Sequence, residues 1–279
     1  MTFRNIQIIV CLLLSPLFVL SQTNDSILTI KEQKKARPVY INFSAGLNQI
    51  KFRDEATSPV YYRGAVKYFS VGYRRGDQAR DTEIGVDIST GKTTENVSKL
   101  NLESQITSIR FHYGRLFRVN PISSGKMNYM AGGLFNSTQN IRTNPGFMNN
   151  AVGLENFSSL MASLKATRDF SKEKNNSNRK RELSLRLNIG VMNNSYRNGY
   201  IYTNTSSVLN EPKAFSNYES KYFSGFRMST ELDYTIFLQN KNAIKFSYLW
   251  DGFKSGGSYN QFGMTNNILK ATFLFGTKK

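Results

Sequence analysis

Lysine and arginine outnumber aspartate and glutamate by 37 to 19 in a chain of 279 residues, so the protein carries about +18, and it has one cysteine and one histidine. Those two counts exclude a disulfide framework, a thiolate metal site and a multi-histidine metal centre. In bulk, 39% hydrophobic and 13% aromatic residues describe a basic, soluble, β-rich protein, and any finer class has to be read from residue order.

In chain order the first element is an export signal. Arg4 precedes the apolar run IQIIVCLLLSPLFVL, and the small residue Ser21 stands ahead of Gln22 and the polar TNDS. Gln7 and Pro16 interrupt the run, which a permanent spanning helix of about 20 apolar residues would not tolerate well. Cys11 follows Val10, where a lipidation site needs a small residue. Removal of 1–21 leaves 258 residues, no cysteine and about +17. Residues 22–37 read as an N-terminal periplasmic arm, and 38–279 as a single β domain.

From there period two dominates and helical period is hard to find. PVYINFSAGL alternates Val39, Ile41, Phe43, Ala45 and Leu47 with Tyr40, Asn42, Ser44 and Gly46. EIGVDIS, ITSIRFHYG, ELSLRLNIGV, FRMSTELDYTIF, AIKFSYLWDG and LKATFLFG repeat the pattern, with looser runs at about 61–74, 126–137 and 159–170. Ten strands are expected, each about 8 to 14 residues long, near the about 9 to 11 that a tilted membrane-spanning strand needs. Their connections alternate. Those at about 75–81, 119–125, 171–181 and 239–242 are short or turn-like, and those at about 53–60, 90–105, 138–158, 192–221 and 254–266 are mostly longer and rich in Asn, Ser, Thr, Gly and Tyr. Long strands, an even count and this asymmetry predict an all-β, antiparallel up-and-down transmembrane barrel of about ten strands, with eight or twelve as neighbouring counts. Aromatics at predicted strand ends, among them Tyr61, Tyr62, Tyr73, Phe117, Phe170, Tyr222, Phe223, Phe237, Trp250 and Phe275, suit an interfacial girdle. A secreted β-sandwich is the competing architecture.

Export signal, alternating strands and a final strand NILKATFLFG with Phe273 and Phe275 on one face together resemble the small outer-membrane β-barrel proteins of Gram-negative bacteria, a porin-like class. The resemblance implies outer-membrane localisation, contact with outer-membrane lipid, and recognition of the terminal strand by the barrel-insertion machinery. The chain departs from the class in continuing past the last aromatic through Gly276, Thr277, Lys278 and Lys279.

With that topology the charge can be apportioned. The arm, the four short turns and the C-terminal lysines total +11, the long loops about +1 and the strands +5. Basicity concentrates in SKEKNNSNRKRE, where Lys172, Lys174, Arg179, Lys180 and Arg181 offer a surface to anionic headgroups or to a periplasmic or envelope protein partner. Nucleic acid is excluded as a partner by export and by the lack of a binding motif.

Fourteen charged positions in the strands are expected to face inward, including Arg63 and Lys67, and eight of them form the candidate site: Glu83, Asp87, Arg110, His112, Arg186, Arg227, Glu231 and Asp233. An arginine such as Arg186 costs about 2 to 4 kcal/mol on the lipid face at midplane, whereas in the lumen it can reach Glu231 or Asp233. A ten-stranded lumen is narrow enough for side chains to fill, so the expected outcome is a plug of ion pairs in a non-enzymatic barrel with a structural or partner-binding role. A narrow channel for a small solute is the second reading. A hydrolase using His112 is the third, although His112 lies mid-strand without a visible Ser/His/Asp grouping. No catalytic residue, cofactor or metal ligand is assigned. GKT at 91–93 lacks the first glycine of a phosphate loop, which would fall at Val86. The loops RTNPGFMNNAVGLENF and RNGYIYTNTSSVLNEPKAFSNYES combine aromatics with Asn and Ser, as surface recognition or packing over a barrel mouth requires.

Overall fold

Alternating β-branched and aromatic residues can satisfy their backbone groups in a membrane only if every strand has a partner on both sides. The computed structural model describes residues 37–56, 58–95, 102–123, 126–144, 152–171, 180–198, 218–256 and 261–277, so the export signal and nearly all of the arm lie outside the described residues. From Pro38 onward the chain forms one unit built from β1 (Val39–Asp54), β2 (Ser58–Gly76), β3 (Arg80–Thr94), β4 (Glu103–Arg118), β5 (Met127–Thr143), β6 (Val152–Asp169), β7 (Arg181–Asn198), β8 (Tyr218–Lys221), β9 (Phe226–Phe237), β10 (Ala243–Lys254) and β11 (Phe262–Gly276). A 3-10 turn at Asn120–Ile122 sits between β4 and β5. Each strand runs antiparallel to its neighbours, and β1 pairs with β11, which closes the sheet. Strands β8 and β9 both pair with β7 and are two pieces of one stave, so the barrel has ten staves.

The register fixes the tilt. From Leu47, successive partners Lys67, Thr90, Thr107, Ile141 and Leu154 lead to β6 in one direction. In the other direction Leu269, Tyr248, Leu232, Leu185 and Ala166 lead to the same strand, 12 residues away from Leu154. A stagger of that size requires strands inclined to the barrel axis, typically by about 35–45°.

Two corrections to the sequence reading concern the end of the barrel opposite the chain termini. The first long loop, expected at 53–60, gives way to strand at both ends, with β1 running to Asp54 and β2 starting at Ser58, and β5, β6 and β7 extend well into the segments expected to be loops. The reason is a phase change in the alternation. On β1, Ile41, Phe43 and Leu47 face outward, but three and five residues further Ile50 and Phe52 face inward while Gln49, Lys51 and Arg53 take the outer face. The same inversion puts Tyr62, Val66, Ile106, Phe157, Phe253, Phe262 and Met264 inside. Water replaces lipid around this half of the barrel, so the apolar side turns inward as it does in soluble sheets. Tyr62, read from sequence as a girdle residue, is therefore 2% exposed within the lumen, whereas Tyr61 faces out.

The break between β8 and β9 has a local cause. Gly225 adopts φ 96°, and a Cβ there would lie 2.4 Å from the Lys254 carbonyl oxygen. Asn193 Nδ2 donates to the Gly225 carbonyl and the Ser224 amide donates to the Asn193 carbonyl, which hold the bulge against β7. Gly225→Ala is expected to destabilise the folded barrel by more than about 1 kcal/mol, read as a lower urea midpoint in detergent.

Candidate functional site

Charged side chains on the inner face meet partners at successive levels along the barrel axis. Near the end that carries the termini, Asp81 accepts from Arg74 Nε at 2.9 Å and from Lys165 Nζ at 2.8 Å. Above it Arg186 pairs with Glu83 across the lumen, Lys270 with Glu231 at 3.0 Å, and Lys245 with Asp233 at 3.4 Å. Asp233 also accepts from the Ser247 hydroxyl at 2.5 Å. Asp87 gathers Arg110 Nε at 2.6 Å, the Tyr68 hydroxyl at 2.8 Å and His112 Nδ1 at 3.5 Å.

At mid-barrel Arg227, 1% exposed, donates to both carboxylate oxygens of Asp251, at 3.1 and 2.8 Å. Its remaining donors reach Thr138 Oγ1 at 2.8 Å and the Phe157 carbonyl at 3.4 Å, and its guanidinium lies 4.9 Å from the Phe253 ring centre. Arg110 approaches the same Asp251 at 3.6 Å, so two of the levels are linked.

The far half of the lumen is closed by aromatic rings. Phe52 stacks on Tyr62 at 5.2 Å, and Phe157 meets Phe253 at 4.7 Å and Phe262 at 5.3 Å. Arg142 crosses this layer, over Phe52 at 5.1 Å and Phe262 at 5.2 Å, and pairs with Glu155 and with Asp54, the latter at 2.5 Å. Arg197 joins Asp54 at 2.5 Å. Excluding water here strengthens each pair and makes an unpaired charge costly, so the two kinds of layer depend on each other.

All eight residues singled out from the sequence face the lumen, and the structure supplies the pairings that the sequence left open. Arg186 stands directly across the ladder from Glu231, yet it reaches over the lumen to Glu83, and Glu231 is taken by Lys270. Arg63 and Lys67, expected inside, face outward, because β2 turns its even-numbered positions to the lumen. Sequence reasoning missed Asp54, Arg142, Glu155 and Arg197, all assigned to loops, Asp81, assigned to a turn, and Arg74, at the end of a looser strand run. The signal available was the phase change, since Arg142 keeps step with the inward Thr138 and Asn140. Of the basic turn, Lys172, Lys174 and Arg179 lie outside the described residues. Lys180 pairs with Glu182 at 2.7 Å and lies 5.1 Å from the Phe237 ring centre, and Arg181 begins β7.

Among the described residues no group of three or more His, Cys, Asp or Glu side chains is placed to hold a metal ion. The space left between Glu83, Asp87, Arg186, Glu231 and Lys270 is a cavity of about 60 Å³. At about 10–15 Å³ per water, it has room for a few waters.

A closed sheet with a belt of outward Ile, Leu, Val and Phe around a polar, ion-paired interior is an outer-membrane β-barrel. No protein-family model matches the chain, and no curated protein matches it in sequence. Solved structures to which it is similar include Ail, the attachment invasion locus protein of Yersinia pestis, at 11% identity over 86% of this chain and 99% of that one, TM-score 0.28. The transport unit of the autotransporter AIDA-I from Escherichia coli is similar at 10% identity over 89% and 92%, TM-score 0.43. The toluene transporter TodX of Pseudomonas putida is similar at 8% identity over 88% and 90%, TM-score 0.30.

Proposed function

We propose that the protein is a non-enzymatic, non-conducting outer-membrane barrel with a structural or partner-binding role exercised through its rims. The observation that carries this reading is the double closure of the lumen. A stacked aromatic layer fills one half and the Arg227–Asp251–Arg110 cluster crosses the middle, leaving a space sized for water on the near side. A solute path would have to break buried pairs at both levels. Lipid around the belt, the insertion machinery on β11 and an envelope protein at the basic turn are the partners this reading calls for. In planar bilayers the purified protein is expected to give no resolved conductance steps. Steps that are changed or abolished by Arg186→Ala would overturn the closed-lumen reading in favour of a narrow channel.

A further inference from the structure

We propose that the outer face of β1, β2 and β3, at the edge of the apolar belt away from the termini, binds the phosphate groups of a lipid in the outer leaflet. The last residues of the belt on these strands are Leu47, Phe69 and Ile88. Beyond them the outward positions carry Lys51, Arg53, Arg63, Lys67 and Lys92, five cations on three adjacent strands. Register places Lys51 directly opposite Arg63 on the same face, and like charges in that position oppose strand pairing unless an anion lies between them.

The side chains are arranged rather than scattered. Tyr61 lies under both Lys51 Nζ, at 4.3 Å, and the Arg53 guanidinium, at 5.5 Å. Two acids reach the patch: Glu103 pairs with Lys92 at 2.9 Å and Glu55 with Arg53 at 3.6 Å. Among the described residues neither Arg63 nor Lys67 has an acidic partner within salt-bridge distance. On the opposite wall the positions just beyond the belt are Ser137, Gln139, Asn156 and Ser158, which carry no charge. Among the described residues, the five clustered cations of β1–β3 thus have no counterpart on that wall. Apolar residues immediately below cations match an amphiphile whose acyl chains lie on the belt and whose phosphates accept from Arg and Lys. This inference concerns the outer face and holds whether or not the lumen conducts.

The test is native mass spectrometry of the folded, full chain in neutral detergent, titrated with diphosphorylated lipid A as the probe. One-to-one adducts are expected, weakened at least tenfold in the K51Q/R63Q/K67Q variant and at least tenfold when the probe is dephosphorylated. Lys254→Gln, an outward change on β10, is expected to leave binding unchanged. Heat-modifiable gel migration reports that each variant is folded; should the triple variant not fold, R63Q alone is expected to weaken the adduct about threefold. Equal binding by the folded variants, equal binding of the dephosphorylated probe, or displacement of lipid A by equimolar inorganic phosphate would each overturn the proposal.

Discussion

Replacing Arg227 by alanine is expected to lower the unfolding free energy of the detergent-folded barrel by about 3–5 kcal/mol, because it leaves the Asp251 carboxylate buried without its two-pronged partner. Arg110 Nη1, at 3.6 Å, is too distant to replace both hydrogen bonds. The pair as such need not add net stability. Exchanging Arg227 for Met together with Asp251 for Leu is expected to recover most of the loss, since a buried ion pair and an apolar pair of similar volume are often close in free energy. Guanidinium titrations of the wild type, R227A and the double variant check this. A double variant as unstable as R227A would mean that Arg227 acts through Thr138 and Phe157 rather than through the charge pair.

Phe262→Ala is the second large effect. The ring is fully buried against Phe52, Phe157 and Phe253, and truncation of a buried phenylalanine costs about 3–5 kcal/mol through lost transfer and the cavity left behind. It also removes the face over which Arg142 and Arg197 lie. The variant is nevertheless expected to remain electrically silent in planar bilayers, because the Arg227–Asp251 level below it still crosses the lumen. Loss of stability without conductance would separate the two closures. Conductance in this single variant would show that the aromatic layer alone seals the barrel.

The two variants probe different kinds of cohesion in one interior. In the belt half, lipid accepts the apolar residues and the lumen takes the charges, so the interior is held by ion pairs. In the other half, water surrounds the barrel and the lumen becomes an ordinary apolar core with a charged network threaded through it. Arg227 joins the halves, since it lies over the Phe253 ring and pairs with Asp251, which Arg110 also approaches.

What the sequence determined by itself was everything that depends on the local alternation of solvent: that the chain is all-β, that ten staves alternate about a lipid-facing stripe, and that Glu83, Asp87, Arg110, Arg186, Arg227, Glu231 and Asp233 project away from it. Apolar and polar residues two apart must face opposite surroundings, and no tertiary information is needed to see that. The pattern became illegible where the outer solvent changes, so Arg53 and Asp54 were read as the start of a loop and Arg63 and Lys67 were assigned to the wrong side. Only closure of the sheet decided which charges pair. The stagger of 12 residues carries Arg186 toward Glu83, 103 residues away in sequence, and leaves its ladder neighbour Glu231 to Lys270. Partners across a lumen are set by curvature and tilt, and these are properties of the whole ring of strands rather than of any one strand.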